Sequence, residues 1–364
     1  MEDLKKIASL FAIEGKIADI RPLGNGLIND TFKVTTEEGS PDYVLQRINN
    51  AIFTDVDLLQ GNIEAVTSHI RKKFEEAGSS DINRKVLRFI PLREGTKTYA
   101  YVDGKFWRVS VFIENATTIE TVNPEYSEYA GEAFGNFEAM LADMDKPLGE
   151  TIPDFHNIEL RLRQLAEAVT LDAAERINGE NKAEIKAILA DIDENAKDMC
   201  LGEQLYREGK LPKRICHCDT KVNNMMFDKD GTFLCVIDLD TVMPSFVFSD
   251  FGDFLRTAAN PVAEDSPELD KVDFDLEIFK AFSRGYIRGT KSFLTPVEKK
   301  CLPYAACMFP FMQAVRFLTD YINGDTYYKT KYPDHNLVRT RNQIKLFHSA
   351  LEKVPQMAAW IDSL

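Results

Sequence analysis

The chain is organised around His217-Cys218-Asp219-Thr220-Lys221-Val222-Asn223-Asn224 and, shortly after it, Val236-Ile237-Asp238. Asp219 and Asn224 lie five residues apart in a polar segment that is flanked by apolar residues. One loop can therefore present both side chains on the same side. This spacing suits two jobs in phosphoryl transfer, in which one residue orients an attacking hydroxyl and another holds a metal ion.

The segment after Asn224 predicts a β-hairpin. Two apolar runs flank Asp228-Lys229-Asp230-Gly231, and glycine supplies the positive φ that a tight turn needs. A hairpin returns the chain to its start and places Asp238 beside Asn224, and a carboxylate next to an amide oxygen suits Mg²⁺. His-x-Asp-x-x-x-x-Asn alone also fits an ordinary capped loop. With the hairpin and Asp238, the pattern favours the catalytic loop and metal-binding strand end of a kinase-like phosphotransferase.

A second candidate for the metal ligand is Asp250, in the literal triplet Asp250-Phe251-Gly252. Only one hairpin should separate a catalytic loop from its metal aspartate, whereas Asp250 lies beyond the break at Pro244. We therefore assign the metal role to Asp238. Asp250 is expected to be a buried carboxylate that caps a helix or accepts backbone N–H groups from the catalytic loop.

Composition restricts the class of protein. The chain has 364 residues, 44% hydrophobic and 28% charged, which is enough for two domains or a two-lobed fold. Its net charge is −14 and it has no long basic stretch, so we expect no nucleic-acid partner. A neutral or nucleotide-borne small-molecule substrate fits better.

The six cysteines predict a cytoplasmic location, because they show neither a disulfide framework nor paired metal-ligand spacing.

The N-terminus lacks the pattern of a signal peptide. The most apolar region, residues 304–315, is broken by Pro310 and is too short to span a bilayer. We therefore expect no membrane anchor. The sequence does not predict an oligomeric state.

Residues 1–114 predict a small, β-rich N-lobe. Its strands are expected at residues 17–22, 27–35, 43–48, 86–91, 98–102 and 106–113, and a long helix with Asp55 as its N-cap is expected at residues 55–77. The turn Gly24-Asn25-Gly26 either brings backbone N–H groups to nucleotide phosphates or is a plain hairpin turn. Ile113 and Glu114 would form a hinge whose backbone binds an adenine edge.

Residues 115–364 predict a larger, mainly helical C-lobe with the catalytic loop, the metal site and the acceptor pocket. Asn123 and Pro124 are typical of a helix start. The helices that follow are expected at residues 158–177, 182–201, 248–259, 276–289, 297–321 and 336–354. The fold class is therefore α+β, with two lobes as in protein kinases.

These residues resemble the aminoglycoside phosphotransferase and choline kinase superfamily, whose fold is protein-kinase-like. The broad resemblance covers nearly the whole chain through residues 22–34, 217–224 and 237–240. Within the superfamily the chain most resembles the N-acetylhexosamine 1-kinases, through residues 217–224, 237–244, 250–253 and 331–341. The resemblance implies ATP and Mg²⁺ as cofactors and the anomeric hydroxyl of an N-acetylhexosamine as the acceptor.

The resemblance also implies roles for single residues. Asp219 would accept or orient the proton of the sugar hydroxyl, Lys221 would contact the transferred phosphate, and Asn224 and Asp238 would hold Mg²⁺. Arg316 and Tyr327 match positions that are implied to contact the hexosamine. Each of the last three residues also has an ordinary structural explanation. Lys221 could be a solvated surface lysine, Arg316 could form a salt bridge on a helix surface, and Tyr327 could be an aromatic residue of a loop.

The third strand departs from the kinase pattern. Kinases place on it a lysine that binds the nucleotide phosphates and pairs with a helix glutamate, whereas this chain has Gln46 at the inward position. Arg47 would point the other way. The nucleotide would then be held by the glycine turn, by Mg²⁺ and by Arg47 after a local twist, with no role assigned to Glu64.

Two other functions compete. One is a kinase for another hydroxyl acceptor, such as an aminoglycoside, choline or homoserine. A cationic acceptor could dock on the acidic segment, which we define as Glu264, Asp265, Glu268, Asp270, Asp273 and Asp275, although such a run is more often a solvated loop. The other is an inactive kinase fold used for binding, which the missing strand lysine favours and the intact Asp219, Asn224 and Asp238 oppose.

Overall fold

The computed structural model describes residues 2–24, 29–119 and 122–364. In chain order its elements are α1 (Glu2–Ser9), β1 (Ile17–Pro22), β2 (Asp30–Thr36), β3 (Tyr43–Ile48), α2 (Val56–Glu76), α3 (Ile82–Lys85), β4 (Tyr99–Val102), β5 (Lys105–Val111), β6 (Ala116–Thr117), α4 (Pro124–Leu141), α5 (Ile158–Leu171), α6 (Lys182–Met199), α7 (Leu201–Arg207), β7 (Arg214–Cys216), β8 (Met225–Asp228), β9 (Phe233–Val236), β10 (Met243–Ser245), α8 (Val247–Ala258), α9 (Leu276–Thr290), α10 (Pro296–Lys300), α11 (Leu302–Ile322) and α12 (His335–Ser363).

The chain divides into two compact units. The sheet unit comprises Met1–Ile119, Asp143–Pro153 and Asn223–Met243, and the helical unit comprises Glu120–Ala142, Asp154–Val222 and Pro244–Leu364. The predicted α+β fold, with a small antiparallel β part and a larger helical part, is confirmed. The predicted domain boundary after Glu114 stays a prediction.

An antiparallel sheet with the strand order β1-β2-β3-β5-β4 forms the core of the sheet unit. Alternate residues of β3 point to opposite faces, and Tyr43 and Leu45 are fully buried in a cluster with Phe11 and Trp107. Gln46 therefore lies on the face that is turned away from this cluster. The long helix α2 begins as predicted, with the Asp55 side chain accepting the N–H of Leu58 at 2.9 Å.

The predicted strand at residues 86–91 is wrong. Helix α3 precedes this segment, which pairs with β5 at an isolated bridge between Phe89 and Ser110 and places the Phe89 ring 5.4 Å from the guanidinium carbon of Arg108. Strand β4 already pairs with residues 105–108 on that edge of β5, so only the last three residues of β5 remain available. Pro91 cannot donate a backbone hydrogen bond, and the pairing does not extend further.

Helices α4 and α9 of the helical unit pack unusually closely. A Cβ atom on Gly131 would lie 2.2 Å from the carbonyl oxygen of Phe282, and one on Gly285 would lie 2.0 Å from that of Glu128. Both positions require glycine because neither backbone can move away without separating the helices. The tight packing fixes α4, which contributes Phe134, Phe137 and Glu138 to the surroundings of the catalytic loop.

Several helices end earlier than the periodicity predicts, for local reasons. Asp172 ends α5 in the left-handed region at φ 39°, so the predicted extension to residue 177 is wrong. The predicted helix at 297–321 is two helices that meet at Cys301, the first of which begins with a capping box formed by Thr295 and Glu298. Within the described residues, no helix combines the length and the apolar character needed to cross a membrane.

Candidate active site

In the helical unit, Asp250 of α8 holds the backbone of the predicted catalytic loop. Its two carboxylate oxygens accept the N–H groups of His217 and Cys218, each at 2.7 Å. Its own carbonyl accepts the Thr220 hydroxyl at 2.7 Å. The prediction that Asp250 is a buried acceptor of N–H groups from the catalytic loop is confirmed.

Asp253, one helical turn after Asp250, holds the backbone of Thr220, the residue that follows Asp219. Its carboxylate accepts the N–H of Thr220 at 2.9 Å. Burial raises the pKa of Asp253 to about 6, against the opposing effect of the Arg256 charge. Asp219 thus lies between two residues, Cys218 and Thr220, whose backbone N–H groups both bind α8.

The side chain of Asp219 forms a close ion pair with Lys221. The Oδ1 atom of Asp219 lies 2.6 Å from Nζ of Lys221, and their side chains are 21% and 42% exposed. Burial alone lowers the pKa of Lys221, but the carboxylates of Asp219 and Asp253 outweigh it and raise that pKa. Lys221 is therefore a protonated partner of Asp219, and its predicted contact with the transferred phosphate stays a prediction.

A second buried carboxyl group, that of Glu138, lies beside Asp250. The Tyr286 hydroxyl lies 2.7 Å from the Glu138 carboxyl group and 2.8 Å from the carbonyl of Val247. A phenol has one proton for these two contacts, and a protonated Glu138 supplies a second. Burial first, and then the charge of Asp250, raises the pKa of Glu138 well above its usual value.

We expect Glu138→Gln to flatten the decline in stability with rising pH. A carboxyl group whose folded-state pKa is raised stabilises the protein fully below its unfolded pKa of about 4.3, and this stability is lost as the pH rises toward the folded pKa. Glutamine keeps the shape and cannot ionise. Between pH 4.5 and 8, the variant should lose less unfolding free energy than the parent, by about 1.4 kcal/mol for each unit by which the pKa is raised.

Urea unfolding at several pH values measures this difference. Glu125→Gln, at an exposed position in the first turn of the same helix, is the matched control and should leave the pH dependence unchanged. Parallel stability profiles for Glu138→Gln and the parent would show that the pKa of Glu138 is the same in the folded and unfolded states.

In the sheet unit, the predicted hairpin is confirmed. Strands β8 and β9 pair with Met225 opposite Val236, and the N–H of Ile237 donates to the carbonyl of Asn224 at 2.9 Å. The fold-back therefore brings the chain at Asp238 next to Asn224, whose side chain is buried. Asp238 itself has a left-handed backbone, with φ 60°.

The donor set of this hairpin end fits Mg²⁺. An amide oxygen and a carboxylate are hard oxygen ligands, and Mg²⁺ commonly takes one or two protein ligands and completes its shell with water and phosphate. The assignment of Asn224 and Asp238 as metal ligands stays a prediction. So does their common use with Asp219, because Asp219 belongs to the helical unit.

Asp240, two residues after Asp238, is anchored inside the sheet unit. Its Oδ2 atom accepts from the Asn29 amide at 2.6 Å, and its Oδ1 atom lies 2.6 Å from Nη1 of Arg108. The latter contact is an ion pair in which the N–H does not point at the oxygen. The Asp240 carbonyl also accepts the Thr151 hydroxyl at 2.9 Å. The segment that carries Asp238 is thus fixed to the sheet.

The predicted nucleotide-binding residues of β3 lie on opposite faces of the sheet. Gln46 donates to the Thr31 hydroxyl at 3.3 Å and accepts from Nε of Arg108 at 3.0 Å. Arg47 forms an ion pair with Asp30, and its side chain is 39% exposed. A role for Arg47 in nucleotide binding stays a prediction.

The other nucleotide-binding predictions concern backbone groups. Gly24 has φ 68°, as a glycine turn requires, whereas Asn25 and Gly26 lie outside the described residues. Ile113 is buried against the hairpin residues Leu234 and Cys235. The carbonyl of Glu114 accepts from Arg84 at 3.1 Å. Adenine binding by Ile113 and Glu114 stays a prediction.

In the helical unit, the predicted acceptor residues Arg316 and Tyr327 lie together. Asp320 accepts the N–H groups of Thr326, Tyr327 and Tyr328 at 2.8 to 3.0 Å, and so orders the loop that follows α11. The guanidinium carbon of Arg316 then lies 5.8 Å from the Tyr327 ring centre and 5.6 Å from that of Tyr328. The structure thus brings both predicted residues to one place.

The other residues of this cluster carry no recognisable signal in the sequence. Phe155 lies 5.5 Å from the guanidinium of Arg316 and stacks on His156. Arg161 donates to the carbonyl of Phe155 at 2.7 Å. We call Phe155, His156, Arg161, Arg316, Tyr327 and Tyr328 the arginine cluster. No motif marks Phe155 to Arg161, because only folding brings them near α11.

Electrostatics make the arginine cluster unfavourable for further positive charge. Burial, and then the nearby Arg316, lower the pKa of Arg161 to about 10. The same two causes lower the pKa of His156 well below its usual value, so His156 is neutral. Tyr328, Tyr327 and Asp154 act in the opposite direction on the pKa of Arg161 and do not outweigh burial and Arg316.

Comparison with known proteins places this fold. A model of the APH phosphotransferase enzyme family matches residues 19–285. An aminoglycoside phosphotransferase from Alicyclobacillus acidocaldarius is 12% identical, with a TM-score of 0.63 over 99% of this chain and 96% of that one. A choline kinase from Cryptosporidium parvum is 15% identical, with a TM-score of 0.58 over 100% and 98%. A spectinomycin phosphotransferase, solved with ADP and spectinomycin, is 13% identical, with a TM-score of 0.53 over 100% and 98%. The fold is that of aminoglycoside phosphotransferases and choline kinases, as predicted.

Proposed function

The chain belongs to the APH phosphotransferase enzyme family, and on this premise we propose that it transfers a phosphoryl group from ATP to the anomeric hydroxyl of an N-acetylhexosamine. The products are the sugar 1-phosphate and ADP. The proposal joins the family assignment to the resemblance of residues 217–224, 237–244, 250–253 and 331–341 to the N-acetylhexosamine 1-kinases.

The arginine cluster is the observation that carries the choice of acceptor. Its guanidinium groups and phenols can donate hydrogen bonds to the hydroxyl and acetyl oxygens of a neutral sugar. A cationic acceptor there would meet Arg316 and Arg161, whose pKa is already lowered by burial and then by the charge of Arg316. An uncharged acceptor that is rich in oxygen therefore fits better than an aminoglycoside or choline.

The acidic segment that could have received a cationic acceptor is largely neutralised by its own surroundings. Four of its carboxylates have cationic partners in the structure: Glu264 with Arg256, Asp265 with Lys331, Glu268 with Lys271, and Asp273 with Lys353. Asp275 caps the start of α9. This segment therefore behaves as a solvated, internally paired surface, which weakens the competing assignment.

Each candidate residue has a separate role in the phosphoryl transfer. Asp219 orients the anomeric hydroxyl and takes its proton as the bond to phosphorus forms. Lys221 forms an ion pair with Asp219 and offers a positive charge to the transferred group. Asn224 and Asp238 would hold Mg²⁺, which neutralises phosphate charge when it is bound. Transfer then depends mainly on positioning, which is why few residues suffice.

An acceptor panel tests the proposal. The purified protein is incubated with ATP and Mg²⁺ and with N-acetylhexosamines, the corresponding unacetylated hexosamines, aminoglycosides, choline and homoserine. We expect turnover with the N-acetylhexosamines, with ³¹P NMR locating the phosphate on the anomeric oxygen. Phosphorylation of cationic acceptors alone would overturn the sugar assignment and leave the phosphotransferase assignment intact.

The Arg316→Met variant tests whether the cluster selects the acceptor. We expect it to raise KM for the N-acetylhexosamine by about tenfold or more, the effect of losing a charge-assisted hydrogen bond, with a smaller effect on KM for ATP. Lys300→Met, at the end of α10, is a control for the loss of a surface charge. An unchanged sugar KM in Arg316→Met would remove Arg316 from acceptor binding.

A further inference from the structure

A buried arginine lies beside the glutamine that replaces the usual strand lysine. Arg108 of β5 is directly opposite Gln46 of β3 in the sheet register. Its Nε atom donates to Oε1 of Gln46 at 3.0 Å, so both side chains lie on the same face of the sheet. This is the face turned away from the cluster around Phe11 and Trp107.

Arg108 also reaches the segment that follows the predicted metal ligand Asp238. Its Nη1 atom lies 2.6 Å from Oδ1 of Asp240, with side chains only 3% and 5% exposed. Removing two charges from water costs several kcal/mol per ion unless the pair is well satisfied, and here the Nη1 hydrogen is poorly aligned with the oxygen. Stability alone is a weak reason for a pair of this kind.

The other cations near this part of the sheet are placed differently. Arg47 lies on the opposite face and pairs with Asp30. Lys33 shares the face of Arg108, but its ammonium lies 4.1 Å from the centre of the Phe112 ring and 2.9 Å from Asp42. Lys33 therefore lies at the end of the sheet face near Phe112, next to the predicted adenine-binding residues.

We propose that Arg108 supplies the positive charge that binds the α- and β-phosphates of the nucleotide, with Asp240 as its acidic partner. The inference rests on the proposed use of ATP. The carboxylate of the helix residue Glu64 instead accepts from the Thr98 hydroxyl.

The chemistry of a guanidinium suits this role. It carries five N–H donors in a planar fork that matches phosphate oxygens. The contacts to Gln46 and Asp240 engage Nε and Nη1, and Nη2 contributes two further donors. Gln46 and Asp240 together hold the guanidinium plane in a fixed orientation, which lowers the entropy that phosphate binding would otherwise cost.

Two variants isolate the contribution of the arginine. Removing Arg108 alone would leave Asp240 as an unpaired buried charge, at a cost of about 3–5 kcal/mol. Asp240→Asn, which keeps the arginine, carries a comparable cost because its guanidinium is then unpaired. The double variant Arg108→Met/Asp240→Asn lacks both charges, and we compare its ADP affinity with those of Asp240→Asn and of the parent. The ion pair is broken in both. Calorimetric titration with ADP and with adenosine, in EDTA, measures phosphate binding without a metal contribution, and thermal unfolding checks that both variants are folded.

The expected result is a selective loss of affinity for ADP. Relative to Asp240→Asn, the double variant should bind ADP about ten- to hundredfold more weakly, the effect of a charge-assisted hydrogen bond, and adenosine within about twofold. Equal ADP affinities in the two variants would overturn the inference and leave Arg108 as a structural partner of Asp240. A loss of ADP affinity in Arg47→Met, without one in the double variant, would transfer the role to Arg47.

The parent protein distinguishes failure of this inference from failure of the proposed function. If it binds ADP, with or without Mg²⁺, no more tightly than adenosine, the proposed use of ATP fails before Arg108 is considered. If it prefers ADP and the double variant keeps that preference, only the assignment of Arg108 fails.

Discussion

We expect Asp219→Asn to lower kcat by at least about a hundredfold, the lower range for a lost acid or base group. Asparagine has nearly the same shape but cannot accept the hydroxyl proton. It also removes the negative charge that pairs with Lys221 at 2.6 Å. The loop should keep its conformation, because the bonds to Asp250 and Asp253 come from the backbone of its neighbours.

Steady-state kinetics with the acceptor identified by the panel measure this loss, and calorimetry measures ADP affinity. We expect ADP affinity to change by less than about threefold, because Asp219 acts on the acceptor. Asp230→Asn, in the exposed turn of the β8–β9 hairpin, is the matched control and should leave kcat unchanged. Parental turnover in Asp219→Asn would remove Asp219 from the mechanism.

The sequence predicts the helical unit and the hairpin well because their signals are local. The turn from Asp228 to Gly231 and the apolar runs beside it lie within a few residues of each other and predict the pairing of β8 with β9. The same is true of Asp55 and Asn123, whose side chains cap α2 and α4 as predicted. Capping depends on residues only three positions apart along the chain.

The sequence does not predict which charges meet across the sheet or across the helical unit. Arg108 and Gln46 are far apart along the chain and become neighbours only through the β3–β5 register. An arginine inside a strand as apolar as β5 was the available signal, since such a charge is rarely buried without a partner. The arginine cluster depends in the same way on the loop that Asp320 organises.

For Asp250, the sequence spacing excludes the role of metal ligand, and the structure then shows what the residue does. Its triplet matches a familiar metal-binding motif, and only its distance along the chain from Asp219 argues against that role. The structure supplies the positive reason, because both carboxylate oxygens are committed to backbone N–H groups. The Asp250 carboxylate therefore holds the backbone of the catalytic loop in place.

We expect Asp250→Ala to lower the unfolding free energy by about 2–5 kcal/mol. The change leaves the N–H groups of His217 and Cys218 without their acceptor in the interior, and each unsatisfied buried group costs about 1–3 kcal/mol. Part of this cost is offset, because the change also removes a buried carboxyl group whose pKa is raised by burial. Urea unfolding at pH 7 measures the difference.

Asp253→Ala is the matched comparison, since it removes one N–H contact, that of Thr220, and a longer ion pair with Arg256 at 3.7 Å. It should therefore cost about half as much stability as Asp250→Ala if each buried N–H group contributes similarly. Equal losses, or a larger loss in Asp253→Ala, would contradict the argument that Asp250 is the main anchor of the loop.

Amide hydrogen exchange distinguishes a loosened loop from a globally weakened protein. In Asp250→Ala, exchange at His217 and Cys218 should accelerate more than exchange around Gly131 and Gly285, where the close backbone contact between α4 and α9 does not involve Asp250. Because Asp219 lies between the two anchored ends, the same variant should also lose at least about tenfold in kcat while still folded, as reacting groups tolerate little misplacement. Uniform acceleration across the helical unit with unchanged kcat would mean that Asp250 stabilises the fold without positioning Asp219.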